Sequence, residues 1–238
     1  MLGLIWRLTK IFTILGILGA LGLYAIFQYY TFDLPSYEQL ANYNPPAVTR
    51  IYTADGKLLE EYAKENRVFI PIENIPTSLI RAFISAEDKN FYQHPGLDLN
   101  GLLRAIINNS VNLLRNKRME GGSTITQQVV KIFILGPERS LSRKIKEAIL
   151  SFKITQVYSK DKILELYLNQ VFLGMGAYGV ATASKRYFNK SLEDLDLAES
   201  ALLASLLKFP SILNSAANYD KAKARRDYVI YRMLDDGY

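Results

Sequence analysis

The stretch Thr124-Ile125-Thr126-Gln127-Gln128-Val129-Val130-Lys131-Ile132-Phe133-Ile134-Leu135 carries apolar side chains around most of a helical circumference. Thr124, Gln127, Gln128 and Lys131 fall at i, i+3, i+4 and i+7, so they share one narrow polar stripe. A solvated outer face is the ordinary reading of such a stripe. Here the apolar arc is too wide for a surface helix, which predicts an interior helix whose polar edge faces a cleft. Gly121-Gly122-Ser123 opens it, and the charged, glycine-rich run from Asn116 to Gly122 reads as a mobile loop.

Outward from this segment the helical period continues over 77–92, 98–114, 140–158, 161–173 and 196–208, so the body is mainly α. On the 77–92 helix Leu79, Ile80, Phe83 and Ala86 share the core side, with Arg81, Ser85, Asp88 and Lys89 opposite. Glu87 falls on the apolar side, one turn above Phe83. A carboxylate placed there is partly desolvated, which raises its pKa and suits it to accept a proton near neutral pH. A helix-end cap or an ion-pair partner is the plain alternative, and Asp88 is expected to be the solvated neighbour.

On the helix after Gly136-Pro137, Leu141, Ile145, Ala148, Ile149 and Phe152 are expected to form the core side. Arg143, Lys146 and Glu147 then project opposite, with Arg139 a turn earlier, a row that offers cations to a phosphate and an i, i+4 pair between Arg143 and Glu147. Surface ion pairs explain the same pattern. Ile163, Leu164, Tyr167, Leu168 and Val171 form a packing face, leaving Glu165 and Asn169 as scaffold on a more polar side. His94, the one histidine, stands two residues before Gly96 and is expected to fix local structure.

The chain has no cysteine, which with a single histidine excludes disulfide frameworks, thiolate chemistry and the usual zinc ligand sets. The formal charge of +6 is local: Arg115 to Lys153 holds nine Lys or Arg against Glu120, Glu138 and Glu147. Ile11 to Phe32 is 22 residues without a charge. At about 1.5 Å per residue these cross a hydrocarbon core of roughly 30 Å. Arg7 and Lys10 precede the segment and Asp33 follows it, which places the N-terminus in the cytoplasm and the remainder outside. Length and flanks favour an uncleaved anchor over a signal peptide. After Asn44-Pro45-Pro46, Val48 to Tyr52, Asp55-Gly56 and Leu58 to Tyr62 read as a small linker hairpin.

Five stretches, in order, resemble the signature motifs of the family 51 peptidoglycan glycosyltransferases. They are Glu87 to Gly96 (EDKNFYQHPG), Gly121 to Gln128 (GGSTITQQ), Arg143 to Glu147 (RKIKE), Lys162 to Asn169 with Gly174, Gly179 and Tyr187-Phe188, and Ala198 to Ala204 with Pro210. The fifth departs most, since Ser215 follows Asn214 where the family commonly has proline and Lys208-Phe209 replaces a more usual small or polar pair; separately, Asn189 stands where glycine is common. The resemblance extends to class A penicillin-binding proteins from the anchor onward; the serine-lysine, serine-x-asparagine and lysine-threonine-glycine set of their transpeptidase domain is not found in order.

The resemblance implies a mainly α, lysozyme-like fold of two lobes with an N-terminal transmembrane helix and a β-hairpin linker. It divides the chain into residues 1–10 in the cytoplasm, an anchor at 11–32, a linker at 33–71, the glycosyltransferase domain at 72–215 and a C-terminal segment at 216–238 leading towards a missing domain. By analogy Glu87 is the general base in polymerising lipid II with inversion and release of undecaprenyl pyrophosphate, and Glu147 assists. Asp88, Phe91, Ser123, Thr124, Gln127, Gln128, Lys131, Arg139, Arg143 and Lys146 are the implied substrate-binding residues. No cofactor is required and no metal ligand is assigned, although Mg²⁺ or another divalent ion is compatible. The implied partners are lipid II, the growing glycan strand, the bacterial inner membrane and other cell-wall synthesis proteins, with no nucleic acid. A lysozyme-like hydrolase or lytic enzyme and a non-catalytic anchored scaffold are the competing readings.

Overall fold

The computed structural model describes residues 2–40, 43, 49–62, 68–114, 121–212 and 218–238. The expected mobile loop lies largely outside the described residues, as do Asn44-Pro45-Pro46 and the expected domain boundary at 215. Helix α1 spans Leu2–Phe32, and its Trp6–Phe32 portion is long and apolar enough to cross a membrane. Its described apolar side chains from Trp6 to Tyr29 are exposed. Strands β1 (Thr49–Tyr52) and β2 (Leu58–Tyr62) pair antiparallel, as the hairpin pattern predicts. The turn places Gly56 at φ 80°, a conformation that favours glycine.

The remaining described helices are α2 (Thr77–Glu87), α3 (Leu99–Leu114), α4 (Ile125–Val130), α5 (Leu141–Val157), α6 (Lys160–Gln170), α7 (Val180–Phe188), α8 (Leu197–Ser205) and α9 (Tyr219–Asp235). Helix α6 is the central rod, buried at every position from Ile163 to Gln170. Its apolar residues fill the core, and Tyr167 meets Phe83 edge-on at 6.5 Å. Two of its polar residues are scaffold: the Asn169 amide accepts from the Ile70 N–H and donates to the Ile70 carbonyl, each at 2.8 Å, and the Glu165 carboxylate accepts from the Ile72 N–H at 3.0 Å. These bonds clamp the incoming chain to the core.

Around this rod the helices pack in two groups, α4 against α5 and α6, and α2 against α8 and α9. Helix α9 buries Ala222, Val229 and Met233 in the second group, so the segment after 216 is an integral wall of the body.

Three local expectations differ. Helix α2 stops at Glu87, because Asp88 leaves the helical region at φ −156°, ψ 72°. Asp88 therefore turns inward and is 6% exposed, and Ser85 is buried as well. Helix α5 is rotated from its predicted face: Leu141 is 78% and Phe152 46% exposed, while Glu147, Leu150, Ser151 and Ile154 are buried at i, i+3, i+4 and i+7. A carboxylate occupies that inner face because two cations on its own helix neutralise it, as described below. The apolar helix over 124–135 changes pitch, passing from α4 into a π-helical segment at Lys131–Leu135 that ends at Gly136 with φ 75°.

Gly96 fixes how the loop after α2 meets α5. Its φ is +96°, and a Cβ built there lies 2.3 Å from the Ser151 carbonyl oxygen. The same residue's carbonyl accepts from the Thr124 hydroxyl at 2.7 Å. Gly96→Ala combines a left-handed φ with a backbone clash and is expected to cost about 2 kcal/mol or more. A lowered thermal midpoint of the purified protein in detergent checks this, and an unchanged midpoint refutes it.

Candidate active site

Glu87 ends α2 partly buried, at one edge of a groove of about 700 Å³. The groove takes its walls from the end of α2, from α3, from the 121–124 segment, from α4 and α5, and from the C-terminal part of the chain. Burial raises the Glu87 pKa above the ordinary carboxylate range; the Gln128 amide, Arg225 and Lys208 oppose this rise and Asp88 adds to it.

The bond to Gln128 is oriented from the core outward. The fully buried Tyr167 hydroxyl donates to the Gln128 Oε1 at 3.3 Å, which fixes the amide so that its Nε2 donates to the Glu87 Oε2 at 2.8 Å. Burial, followed by the charges of Glu87 and Asp88, pushes the Tyr167 phenol well above its usual pKa, so it remains a donor.

Asp88 is committed to structure. Its carboxylate accepts from the Ile125 N–H at 3.0 Å, one of the free donors at the start of α4, and from His94 Nε2 at 2.9 and 3.0 Å. His94 Nδ1 accepts from the Gly96 N–H at 3.2 Å, which assigns the ring proton to Nε2. Asp88 thus ties the end of α2 to the beginning of α4. Its burial reverses the expectation of a solvated neighbour.

Thr124 and Gln127 form a reciprocal capping box: the Thr124 hydroxyl accepts from the Gln127 N–H, and the Gln127 Oε1 accepts from the Thr124 N–H at 2.9 Å. The polar stripe is therefore divided, with one pair building the helix start and Gln128 and Lys131 left at the groove. On α5, Arg143 donates to Glu147 at 2.6 Å, and Lys144 bonds both Glu147 and, at 2.8 Å, the Ser123 hydroxyl. Glu147 is 2% exposed, and the Arg143 Nε has no hydrogen-bond partner among the described residues.

The groove therefore gathers Glu87, Asp88, Ser123, Thr124, Gln127, Gln128, Lys131, Arg143 and Glu147 of the residues singled out in the sequence. Three others lie elsewhere. Phe91 is fully buried, with Lys160 Nζ 4.5 Å from its ring centroid. Lys146 is held by Asp33 at 2.7 Å, which joins the end of α1 to α5. Arg139 is exposed ahead of the α5 N-cap, Ser140. The structure adds Lys144, Arg104 and a set from the C-terminal part, Lys208, Arg225, Tyr228 and Arg232. Only the helical spacing of Arg225, Tyr228 and Arg232 could have marked them, and spacing does not say what a helix faces.

A second cavity of about 980 Å³ lies between residues 68–77 and 181–193. Its carboxylates, Glu73 and Glu193, are exposed, and its Lys190 is paired with Glu199 at 2.8 Å. Among the described residues that line it, no partly buried acid comparable to Glu87 is present.

The chain is similar to known proteins along most of its length. A family model described as Transglycosylase matches residues 55–234. Penicillin-binding protein 1A of Rickettsia typhi (strain ATCC VR-144 / Wilmington) is 62% identical over 229 residues, covering 96% of this chain and 29% of that protein. Penicillin-binding protein 1A of Escherichia coli (strain K12) is 42% identical over 236 residues, covering 98% of this chain and 27% of that protein. A crystal structure of penicillin-binding protein 1A from Haemophilus influenzae aligns at 28% identity and a TM-score of 0.43, covering 82% of this chain and 19% of that one. This chain thus spans less than a third of the length of these curated relatives. With the family model running across both helical groups and the whole groove, the chain belongs to the transglycosylase family, the peptidoglycan glycosyltransferases that its five motifs resemble.

Proposed function

We propose that this chain polymerises lipid II into glycan strands on the outer face of a bacterial inner membrane, with Glu87 as the general base. The observation that carries the reading is a partly buried carboxylate of raised pKa in a groove that also presents Lys131, Arg143 and Lys144. In the proposed step Glu87 takes the proton from the 4-hydroxyl of the acceptor N-acetylglucosamine. The freed oxygen forms a bond to C1 of the donor N-acetylmuramic acid, and the C1–O bond to the pyrophosphate breaks from the opposite face, inverting the anomeric centre.

The departing diphosphate carries the negative charge that develops in this step. Fixed ammonium and guanidinium groups stabilise such a charge without reorganising. Lys131 and Arg143 are suited to that role, with Lys144 beside them linking Ser123 to Glu147. Glu147 in turn holds the α5 cations against the wall. No resident metal is needed for the step, and Mg²⁺ or another divalent ion is compatible with it.

The anchor supports the proposed location. A helix of membrane-crossing length ends at Phe32 and is followed by Asp33, whose carboxylate the Lys146 ammonium holds below its ordinary pKa. That pair links the end of the anchor to α5, which supports a reading in which the domain works beside the bilayer that would carry the lipid substrate. The proposed partners are the lipid-linked substrate, the nascent strand and other cell-wall synthesis proteins.

Labelled lipid II incubated with the purified protein tests the reading. Wild type is expected to yield longer glycan, and Glu87→Gln to lose about 10²- to 10⁴-fold of that turnover. Full polymerisation by Glu87→Gln removes the base assignment, and clearing of finished peptidoglycan by wild type replaces polymerisation with lysis.

The raised pKa makes a second, independent expectation about stability. The folded protein binds the Glu87 proton more tightly than the unfolded chain does, so this group's contribution falls as pH rises from the unfolded pKa through the folded one. Glu87→Gln removes that loss, and its thermal midpoint at neutral pH should equal or exceed that of wild type. A clear drop contradicts a desolvated acid.

A third expectation concerns Gln128. Its amide donates to the ionised Glu87 and so favours the charged form. Gln128→Leu should move the acid limb of kcat/KM to higher pH. A limb that stays in place, or moves down, shows that this hydrogen bond does not set the base.

A further inference from the structure

We propose that Tyr228 is a positioning residue for glycosyl transfer, its ring holding the Arg225 guanidinium at the groove wall shared with Glu87. The inference rests on the reading of Glu87 as the base and extends it to α9. The carbon at the centre of the Arg225 guanidinium lies 4.4 Å from the Tyr228 ring centroid, within the range of a cation–π contact. Both residues line the groove, and the tyrosine is 47% exposed there.

The neighbouring arginines of α9 are fixed by carboxylates. Arg226 donates to Asp227 at 2.6 and 2.9 Å, and Arg232 approaches Asp236 at 3.7 Å. The Arg225 Nε, by contrast, is buried with no hydrogen-bond partner among the described residues. A ring face therefore holds this cation where an acid holds the others. The difference matters because a carboxylate offsets part of a guanidinium's field, whereas a ring orients the cation without adding a negative charge.

Helical spacing makes the arrangement specific. Val229 and Met233 bury α9 against the body, while Arg225, Tyr228 and Arg232 at i, i+3 and i+7 face the groove. The groups acting on Glu87 are Gln128 from α4, Arg225 from α9, Lys208 after α8 and Asp88 on its own segment, with Tyr167 of α6 behind Gln128. Arg225 and Lys208 are the two positive charges among them. Releasing Arg225 into water leaves Lys208 as the cation opposing the burial of Glu87.

The experiment measures the pH profile of kcat/KM for labelled lipid II with the full chain in detergent. Tyr228→Leu is expected to shift the acid limb to higher pH, so that activity falls several-fold more at the acid end than at the alkaline end. Tyr228→Phe keeps the ring and should restore the wild-type limb. Arg225→Leu should shift the limb in the same direction, and adding Tyr228→Leu to it should produce no further shift.

A uniform loss in Tyr228→Leu at every pH, with wild-type thermal stability, overturns the inference and leaves a packing role. Additive shifts in the double variant overturn it as well. Glu87→Gln is run alongside: if it polymerises normally the base assignment itself fails, whereas an inactive Glu87→Gln with an unshifted Tyr228→Leu refutes only the role of α9.

Discussion

The contact on which the groove depends is the Asp88 carboxylate at the N-terminus of α4. Helix α2 packs mainly with α8 and α9, and α4 mainly with α5 and α6. At the groove the two groups are joined by Asp88 to the Ile125 N–H and by Glu87 to Gln128. An anionic acceptor at a helix start satisfies a free donor and meets the positive end of the helix dipole. His94, held by Gly96 on its other nitrogen, fixes the orientation of that carboxylate. One buried acid thereby positions the residue that precedes it in the chain, the acid proposed to react.

Adjacent carboxylates at 87 and 88 have opposite roles because the helix ends between them. Asp88 is saturated with donors and buried for structural reasons. Glu87 receives one amide hydrogen bond and is left partly exposed to the groove, so its charged form is less well solvated than in water. Environment, not residue type, separates a scaffold acid from a candidate base.

The sequence made the mainly helical body, the apolar N-terminal helix and the hairpin legible, since each is written in local period or local turn chemistry. Glu87 was legible for the same reason, lying one turn from Phe83. Asp88 was misplaced because the 3.6-residue pattern continues past the point where its backbone leaves the helix. Glu147 was put on the outer face because a hydrophobicity pattern cannot foresee a buried carboxylate neutralised by Arg143 and Lys144. Lys208, Arg225, Tyr228 and Arg232 were not found at all. They reach the groove from more than a hundred residues later in the chain than Glu87, by tertiary packing of α8 and α9 on α2.

The lining of the groove also carries a long-range consequence. Lys89, Arg104, Lys131, Arg143, Lys144, Lys208, Arg225 and Arg232 outnumber Glu87, Asp88, Asp98 and Glu147 along its walls. Such a concave, cationic surface concentrates mobile anions from solution, and the Debye length sets its reach at about 8 Å in physiological salt. On electrostatics alone, the pull of such a surface on anions weakens as electrolyte is added, while the short contacts within its walls are largely shielded from that change.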